Sequence, residues 1–216
     1  MILGTDDKTH LISLCKGAES GKCPLALPLP EEFMQRLEIV VADAGWAEFL
    51  HSRLGRRVRH HHMFQIAVSG CANGCSRPHI ADLGLIAACA LEQDATNCTA
   101  CGDCAASCPD AAIVVEGSGV RIDETRCLHC GRCAAACSSS ALRRGQTEFR
   151  VLVGGKLGRR PCLAHELAGS YDPETTLAVL KRCLIKYMDA WRPDRRFADL
   201  VTDASCLQRL AGGGSR

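Results

Sequence analysis

The sequence lacks a strong net charge, a long apolar run and the pattern of an N-terminal leader. Lysine and arginine total 26 against 24 aspartates and glutamates, and this net charge of +2 gives no electrostatic reason to expect nucleic acid as a partner. No stretch reaches the apolar length of a membrane span. The first ten residues contain Asp6, Asp7 and Lys8 where a signal peptide has its apolar core. We therefore expect a cytoplasmic protein with no membrane span.

Cysteine, by contrast, is abundant, with 16 in 216 residues. Such a content in a secreted chain indicates a disulfide scaffold. Here eight cysteines form two runs of identical spacing, C-x2-C-x2-C-x3-C. Structural zinc sites usually separate two cysteine pairs by about a dozen residues or more. The spacing therefore favours iron–sulfur clusters, whose thiolates need a reducing compartment.

The two runs have the spacing of bacterial-type ferredoxins, which hold two [4Fe–4S] cubes. In that arrangement, three cysteines of a run surround one cube and the fourth is a ligand of the other cube. Ferredoxin site 1 then consists of Cys98, Cys101, Cys104 and Cys137, and ferredoxin site 2 of Cys108, Cys127, Cys130 and Cys133. We expect a ferredoxin domain over residues 95–144, in a cell that lives with little oxygen.

The rest of the chain has mixed helix and strand patterns. Short apolar runs predict strands over 63–69, 83–88 and 149–153, and apolar residues at helical spacing predict helices from Glu31 and Pro173. Segments 1–94 and 145–216 should therefore form an α+β cofactor-binding domain around the insert. Four cysteines without a spaced partner are expected to be structural thiols, because free cysteine is commonly buried. They are Cys89, Cys162, Cys183 and Cys206.

A basic segment at 53–62 has two interpretations. Charge runs are usually solvated surface, but arginine also suits carboxylates and small oxyanions. A three-histidine metal site at 60–62 is disfavoured, because adjacent side chains in an extended segment point to opposite faces. The candidate anion-binding or proton-donating residues are Arg57, Arg59, His61, Lys156 and Arg159.

A second cysteine pair follows the strand at 63–69, in the glycine turn S-G-C-A-N-G-C of residues 69–75. This turn, the C-P-L-A of residues 23–26, the I-A-D-L-G-L of 80–85 and the V-G-G-K-L-G of 153–158 resemble the siroheme-dependent sulfite and nitrite reductases. In that family some members also carry a two-cluster ferredoxin insert just after C-x3-C. The resemblance covers most of residues 11–200.

The resemblance implies a third [4Fe–4S] cluster on Cys15, Cys23, Cys71 and Cys75. It further implies that Cys75 bridges this cluster to a siroheme iron and that Asn73 belongs to the same cofactor site. Two departures stand out. Cys15 and Cys23 are separated by seven residues where the family has five, and only 14 residues precede Cys15, where the family has a whole N-terminal half.

Three functions are therefore open. The first is an oxidoreductase that passes electrons from a low-potential external donor through the ferredoxin clusters to a siroheme centre reducing sulfite or a related small oxyanion. The second is an electron-transfer protein or subunit with three clusters and no siroheme. The third is a siroheme carrier or sensor without turnover. In the family, the N-terminal half covers one face of the sheet. We therefore expect a second copy of this chain, as a homodimer, or a partner subunit to cover that face.

Overall fold

A five-stranded mixed sheet forms the centre of the computed structural model, which describes residues 8–54, 58–117 and 119–212. The strands β1 (His10–Leu14), β2 (Phe64–Ser69) and β3 (Leu83–Gln93) are parallel. They are followed in the sheet by the antiparallel strands β6 (Leu142–Val153) and β7 (His165–Glu166). Strand β2 is apolar along most of its length because it is buried on both faces.

Helices cover one face of this sheet. The core cluster combines the alternate residues 64, 66 and 68 of β2 with the matching residues of β3 and β6, so it occupies a single face. Helix α6 (Pro173–Asp189) packs on β6, and α2 (Phe33–Asp43), α3 (Trp46–Leu54) and α7 (Ala204–Ala211) pack on α6. No helix in the described ranges is long and apolar enough to cross a bilayer.

Aromatic side chains join these helices to the sheet. Phe33 of α2 stacks on Phe149 of β6 with ring centroids 4.3 Å apart. The indole of Trp46 lies 5.3 Å from the ring of Tyr187 and donates its N–H to the carbonyl of Thr9 at 2.9 Å. Such pairs add to the burial of apolar area and satisfy the polar indole nitrogen.

The insert leaves the sheet at the tip of the β3–β6 hairpin. These strands pair from Leu83–Val153 to Gln93–Leu142, with an irregularity between Cys89 and Leu91. Residues 94–141 then form their own two-stranded sheet, β4 (Ile113–Glu116) and β5 (Gly119–Ile122). Two short helices accompany it, α4 (Asp103–Ala106) and α5 (Arg132–Ala136), and a second apolar cluster fills its centre.

The predicted mixed α+β fold is confirmed, with local differences. Helix α2 begins at Phe33 and not at Glu31, because Glu32 has a left-handed backbone with φ of 58°. Gly45 separates α2 from α3, as its φ of 69° requires. Strand β3 continues to Gln93, five residues beyond the predicted end at 88. The division of the chain at residues 95 and 144 stays a prediction, and the last three residues of that range lie within β6.

Candidate iron–sulfur and cofactor sites

The two cysteine runs of the insert have the same backbone. In the first run the middle cysteine, Cys101, lies between Ala100 (φ 56°) and Gly102 (φ 85°). In the second run Cys130 lies between two residues with the same handedness, at φ values of 50° and 69°. Left-handed residues turn successive backbone N–H groups and side chains into one concavity, as in other iron–sulfur loops. Each run therefore folds around a centre.

The segments before the runs repeat as well. Asp94, four residues before Cys98, accepts a hydrogen bond from the backbone N–H of Thr96 at 3.1 Å. Asp123, four residues before Cys127, accepts one from Thr125 at 3.0 Å. The insert therefore consists of two copies of one supersecondary unit.

Ferredoxin site 1 comes together across the two copies. Its four cysteines line one cavity of about 100 Å³. Burial raises the pKa of the Cys104 thiol, and the neighbouring Cys101 and Cys137 add to this rise. Cys137 accepts hydrogen bonds from the backbone N–H of Leu142 at 3.3 Å and from Ser139, and these bonds lower its pKa. Donors of this kind stabilise a thiolate.

In ferredoxin site 2 the two runs exchange roles, because three cysteines come from the second run and the fourth comes from the first. Burial raises the pKa of Cys127, and Glu124, Cys130 and Cys108 add to the effect. Burial also raises the pKa of Cys133 to about 11, with Cys127 and Cys130 as neighbours. The backbone N–H of Ala112 donates to the sulfur of Cys108 at 3.4 Å. Each site thus combines three cysteines of one run with the fourth of the other, as the ferredoxin pattern requires.

A third group lies at the carboxyl ends of β1 and β2, and we term it the sheet-end site: Cys15, Cys23, Cys71 and Cys75. Because β1 and β2 are parallel and adjacent, Cys15 and Gly70 meet at the same edge. The backbone N–H of Gly70 donates to the Cys15 sulfur at 3.3 Å. Burial raises the pKa of Cys71, and the other three thiols of the site add to this rise.

Two glycines make this convergence possible. A Cβ on Gly17 would lie 2.6 Å from the Cβ of Cys23, and one on Gly70 would lie 2.9 Å from the Cβ of Ala18. Both distances are shorter than van der Waals contact, so only glycine fits. Cys15 and Cys71 are buried and Cys23 is half-buried, whereas Cys75 is exposed at the rim.

These donor sets fit cubes. Within 8–54, 58–117 and 119–212, no three His, Cys, Asp or Glu side chains converge on one point that would hold a single metal ion. A [4Fe–4S] cube needs no such point, because each of its four thiolates binds a different iron. Four cysteines around a shared space, with backbone N–H groups aimed at sulfur, are the arrangement that such a cluster uses.

A cavity of about 250 Å³ lies between the sheet-end site and the insert. Cys71 and Asn73 line it from the glycine turn, and Asp110, Cys130 and Arg132 line it from the insert. Ferredoxin site 2 is therefore the side of the insert that faces the sheet-end site.

A second cavity, of about 320 Å³, is lined in part by the residue that follows Cys75 in the chain. We term it the arginine cavity, because Arg77 and Arg196 line it, together with Ser76 and His60. Neither arginine was among the site residues predicted from the sequence. The basic segment at 192–196 was the available signal for Arg196, but its place beside residues 76–81 depends on tertiary packing.

The predicted anion-binding residues have varied surroundings. Lys156 forms a salt bridge with Asp199, and Arg159 is exposed. The backbone N–H of Arg59 donates to His62 Nδ1 at 3.2 Å. Burial lowers the pKa of His61, as does the nearby charge of Arg196. Arg57 lies outside the described residues.

The unpaired cysteines also differ. Cys183 and Cys206 are buried in the core, and the Cys206 thiol donates to the carbonyl of Leu200 at 3.5 Å. Cys162 is exposed. Cys89 is 2% exposed, and burial raises its pKa to about 11. Cys127 and Cys130 of ferredoxin site 2 are among its neighbours.

The chain matches one family model, described as "Nitrite and sulphite reductase 4Fe-4S domain", over residues 55–208. A coenzyme F420-dependent sulfite reductase from Methanocaldococcus jannaschii is 43% identical over 96 residues, which are 44% of this chain and 16% of that protein. The chain therefore spans about a sixth of the length of this relative.

Two solved structures are also similar. The Mycobacterium tuberculosis NirA protein aligns with a TM-score of 0.50 at 17% identity, over 91% of this chain and 26% of that chain. Dissimilatory sulfite reductase I aligns with a TM-score of 0.48 at 16% identity, over 79% of this chain and 48% of that chain. At such identity the NirA likeness shows a common fold.

Proposed function

Because the chain belongs to the nitrite and sulphite reductase 4Fe-4S domain family, we propose that it is an iron–sulfur oxidoreductase of the sulfite reductase type. It passes electrons from a low-potential donor through two ferredoxin clusters to a [4Fe–4S]–siroheme centre, where sulfite or a related small oxyanion is reduced. The observation that carries this proposal is the sheet-end site, with four cysteines beside a cavity that two arginines line.

The electron path follows from the order of the three sites. Ferredoxin site 1 includes Cys101, which is exposed, so it is the point of access for an external donor. Ferredoxin site 2 shares a cavity with Cys71 of the sheet-end site. Electrons therefore enter at site 1, cross the insert to site 2 and reach the sheet-end cluster.

The residues around Cys75 suit a siroheme. Bound here, siroheme would supply the redox-active iron for reduction of a small oxyanion, and Cys75 would be the residue that holds it. Cys75 is the one exposed thiol among the four of the sheet-end site, so it is free to bridge outward. Arg77 and Arg196 offer guanidinium groups that pair well with the carboxylates of such a macrocycle. The small residues Ser76 and Ala81 leave space between them.

The same cations bind and orient a small anion. Arg77 and Arg196 attract it, and the polar His60 lies in the same cavity as a proton donor. Lys156 forms a salt bridge with Asp199 and does not line the arginine cavity, whereas Arg77 and Arg196 do. Arg59 and His61 belong to the turn that carries His60 and support its position.

The chain spans only part of the length of its relatives. We propose that a second copy or a partner subunit completes the substrate site over the arginine cavity. Exposed Leu11 and Leu157, which line this cavity at 40% and 58% exposure, are the surface such a partner would cover.

Pigment extraction tests the siroheme. Acid–acetone treatment of anaerobically purified protein should release an isobacteriochlorin, and the protein should oxidise reduced viologen when sulfite is added. An extract without this pigment would overturn the siroheme centre and leave a three-cluster electron carrier. Pigment without sulfite-dependent turnover would contradict the reductase activity. Arg196→Gln should weaken sulfite binding, with Arg195→Gln on the same segment as a matched control.

A further inference from the structure

Two strands of the central sheet form hydrogen bonds to the cysteine loop of ferredoxin site 2. Cys89 of β3 donates its backbone N–H to the carbonyl of His129 at 2.8 Å. Arg144 of β6 donates its Nε–H to the carbonyl of Gly131 at 3.0 Å. These two carbonyls flank Cys130, so both strands of the β3–β6 hairpin fix the position of one cluster ligand.

The equivalent loop of ferredoxin site 1 is open. A Cβ on Gly131 would lie 2.7 Å from both the Cys89 sulfur and the Arg144 Nε, whereas a Cβ on Gly102 would have nothing within 4 Å. The two glycines occupy the same position in the repeat and have the same backbone handedness. The packing behind site 2 is therefore a specific difference between two copies that otherwise repeat.

The charges around the two sites also differ. The residue after the glycine is Asp103 in the first run and Arg132 in the second. Site 2 additionally has the guanidinium of Arg144, which lies beside Cys89. Asp110, on the same cavity as Arg132, offsets part of this positive charge. Two further carboxylates lie on the side of site 2, Glu124 near Cys127 and Glu148 near Cys89. Arg144 is the cation that contacts the site 2 loop directly, through the Gly131 carbonyl, and the first run has no counterpart to this contact at Gly102.

We propose that Arg144 sets the order of the two reduction potentials: its guanidinium raises the potential of the site 2 cluster above that of the site 1 cluster. A reduced cube carries one more negative charge than the oxidised cube, so a nearby fixed cation stabilises it. An electron that a one-electron donor gives to site 1 then moves to site 2, where it is held next to Cys71. This inference rests on the proposed function, since it requires both ferredoxin cubes.

The proposed step is a one-electron transfer in which no covalent bond forms or breaks. The donor loses one electron, site 1 gains it and passes it on, and site 2 is reduced by one electron; no proton needs to move. Burial alone would lower the potential of site 2, because a desolvated cube resists added charge. The cation of Arg144 opposes this effect, together with that of Arg132 on the other side of the loop.

An anaerobic redox titration followed by electron paramagnetic resonance tests the inference. The two ferredoxin signals are assigned with Cys101→Ser, which alters a ligand of site 1. In wild-type protein, site 2 should have the higher potential. Arg144→Gln should shift the site 2 equilibrium toward the oxidised cube by about tenfold, which is about 59 mV for one electron, while site 1 is unchanged. Arg144→Lys, which keeps the charge, should recover at least half of this shift.

Arg143→Gln is the matched control. It removes the same charge from the adjacent residue of β6, whose side chain points to the other face and lies 3.6 Å from Glu92. Its site 2 potential should stay within about threefold of wild type in the equilibrium constant. A shift under threefold in Arg144→Gln overturns the inference. If Arg144→Gln does not assemble the site 2 cluster, the two potentials of the wild-type protein provide the test. A wild-type site 2 potential at or below the site 1 potential then overturns the inference. Wild-type protein without either ferredoxin signal would overturn the proposed function as well.

Discussion

Arg196 and Asp82 form an ion pair of unequal exposure beside the arginine cavity, with Nη2 of the arginine 3.7 Å from Oδ2 of the carboxylate. Asp82 is 1% exposed, and among the described residues its Oδ1 has no hydrogen-bond partner. Its Oδ2 accepts the backbone N–H of Gln65 at 2.9 Å. Burial outweighs the attraction of Arg196 and raises the pKa of Asp82 to about 6.

This pair predicts a pH dependence of stability. The folded pKa of about 6 lies above the ordinary aspartate pKa of 3.8, so between these two pH values the folded chain binds more protons than the unfolded chain. The contribution to stability is complete below the lower value and is lost as the pH rises through the higher one. From pH 5 to 7 the free energy of unfolding should fall by about 1.4 kcal/mol from this group.

Anaerobic thermal unfolding at pH 5 and 7, followed by circular dichroism, checks this dependence. Asp82→Asn should remove most of the fall. Asp203→Asn is the control, because the helix-capping Asp203 has a pKa of about 2, lowered first by its hydrogen bond from Ser205. Its contribution is lost only in strong acid, so its removal should leave the slope between pH 5 and 7 unchanged. An equal slope in Asp82→Asn and wild type would contradict the account.

The paired glycines of the insert give a second prediction. Gly131→Ala and Gly102→Ala impose the same left-handed strain, of about 1 kcal/mol. Only the first also forces a methyl group against Cys89 and Arg144. Gly131→Ala should therefore reduce the occupancy of ferredoxin site 2, whereas Gly102→Ala should keep both clusters. Iron content and the intensity of the two resonance signals distinguish the outcomes, and equal losses in both variants would show that strain alone is responsible.

A third prediction concerns the turn that carries the sheet-end site. A Cβ on Gly84 would lie 2.7 Å from the carbonyl carbon of Pro78 and would press on its oxygen as well. This backbone cannot move without displacing the loop after Cys75. Gly84→Ala should therefore destabilise the fold by about 3 kcal/mol and lower the iron content. Gly119→Ala, whose Cβ would meet only the carbonyl oxygen of Glu116 at 4.0 Å, should change the unfolding midpoint little; similar losses in both would contradict the steric explanation.

Two exposed cysteines supply a fourth prediction. Cys75→Ser should remove the sheet-end cluster and lower the iron content from about twelve to about eight per chain, since each cube holds four irons. Both ferredoxin signals should persist. Cys162→Ser changes a thiol of similar exposure outside the three sites and should leave the iron content unchanged. Loss of a ferredoxin signal in Cys75→Ser would show that the ligands are partitioned incorrectly.

The sequence was most informative where chemistry depends on local spacing. The ferredoxin runs predict their own ligands, because two intervening residues place successive sulfurs around one centre, and the four cysteines predicted for ferredoxin site 1 do line one cavity. The helix from Pro173 was predicted from its cap, and Asp172 does accept the backbone N–H of Thr175 at 2.8 Å. Both features depend on residues only a few positions apart.

Features that depend on distant residues were missed. Strand β1 (His10–Leu14) is short, and it is recognised as a strand only through its pairing with β2. The arginine cavity joins residues 76–81 to Arg196, far along the chain. Cys89 has no spaced partner in sequence, yet the β3–β6 hairpin brings it beside ferredoxin site 2. Tertiary packing decides such contacts, and no local pattern encodes them.

The central claim is that three groups of four cysteines hold three cubes. The most direct test is to measure iron and acid-labile sulfide in anaerobically prepared protein, together with alkylation of its thiols. We predict about twelve irons and twelve sulfides per chain, with Cys15, Cys23, Cys71 and Cys75 protected from alkylation until the clusters are removed. About eight irons, with Cys71 and Cys75 free to react, would contradict the claim.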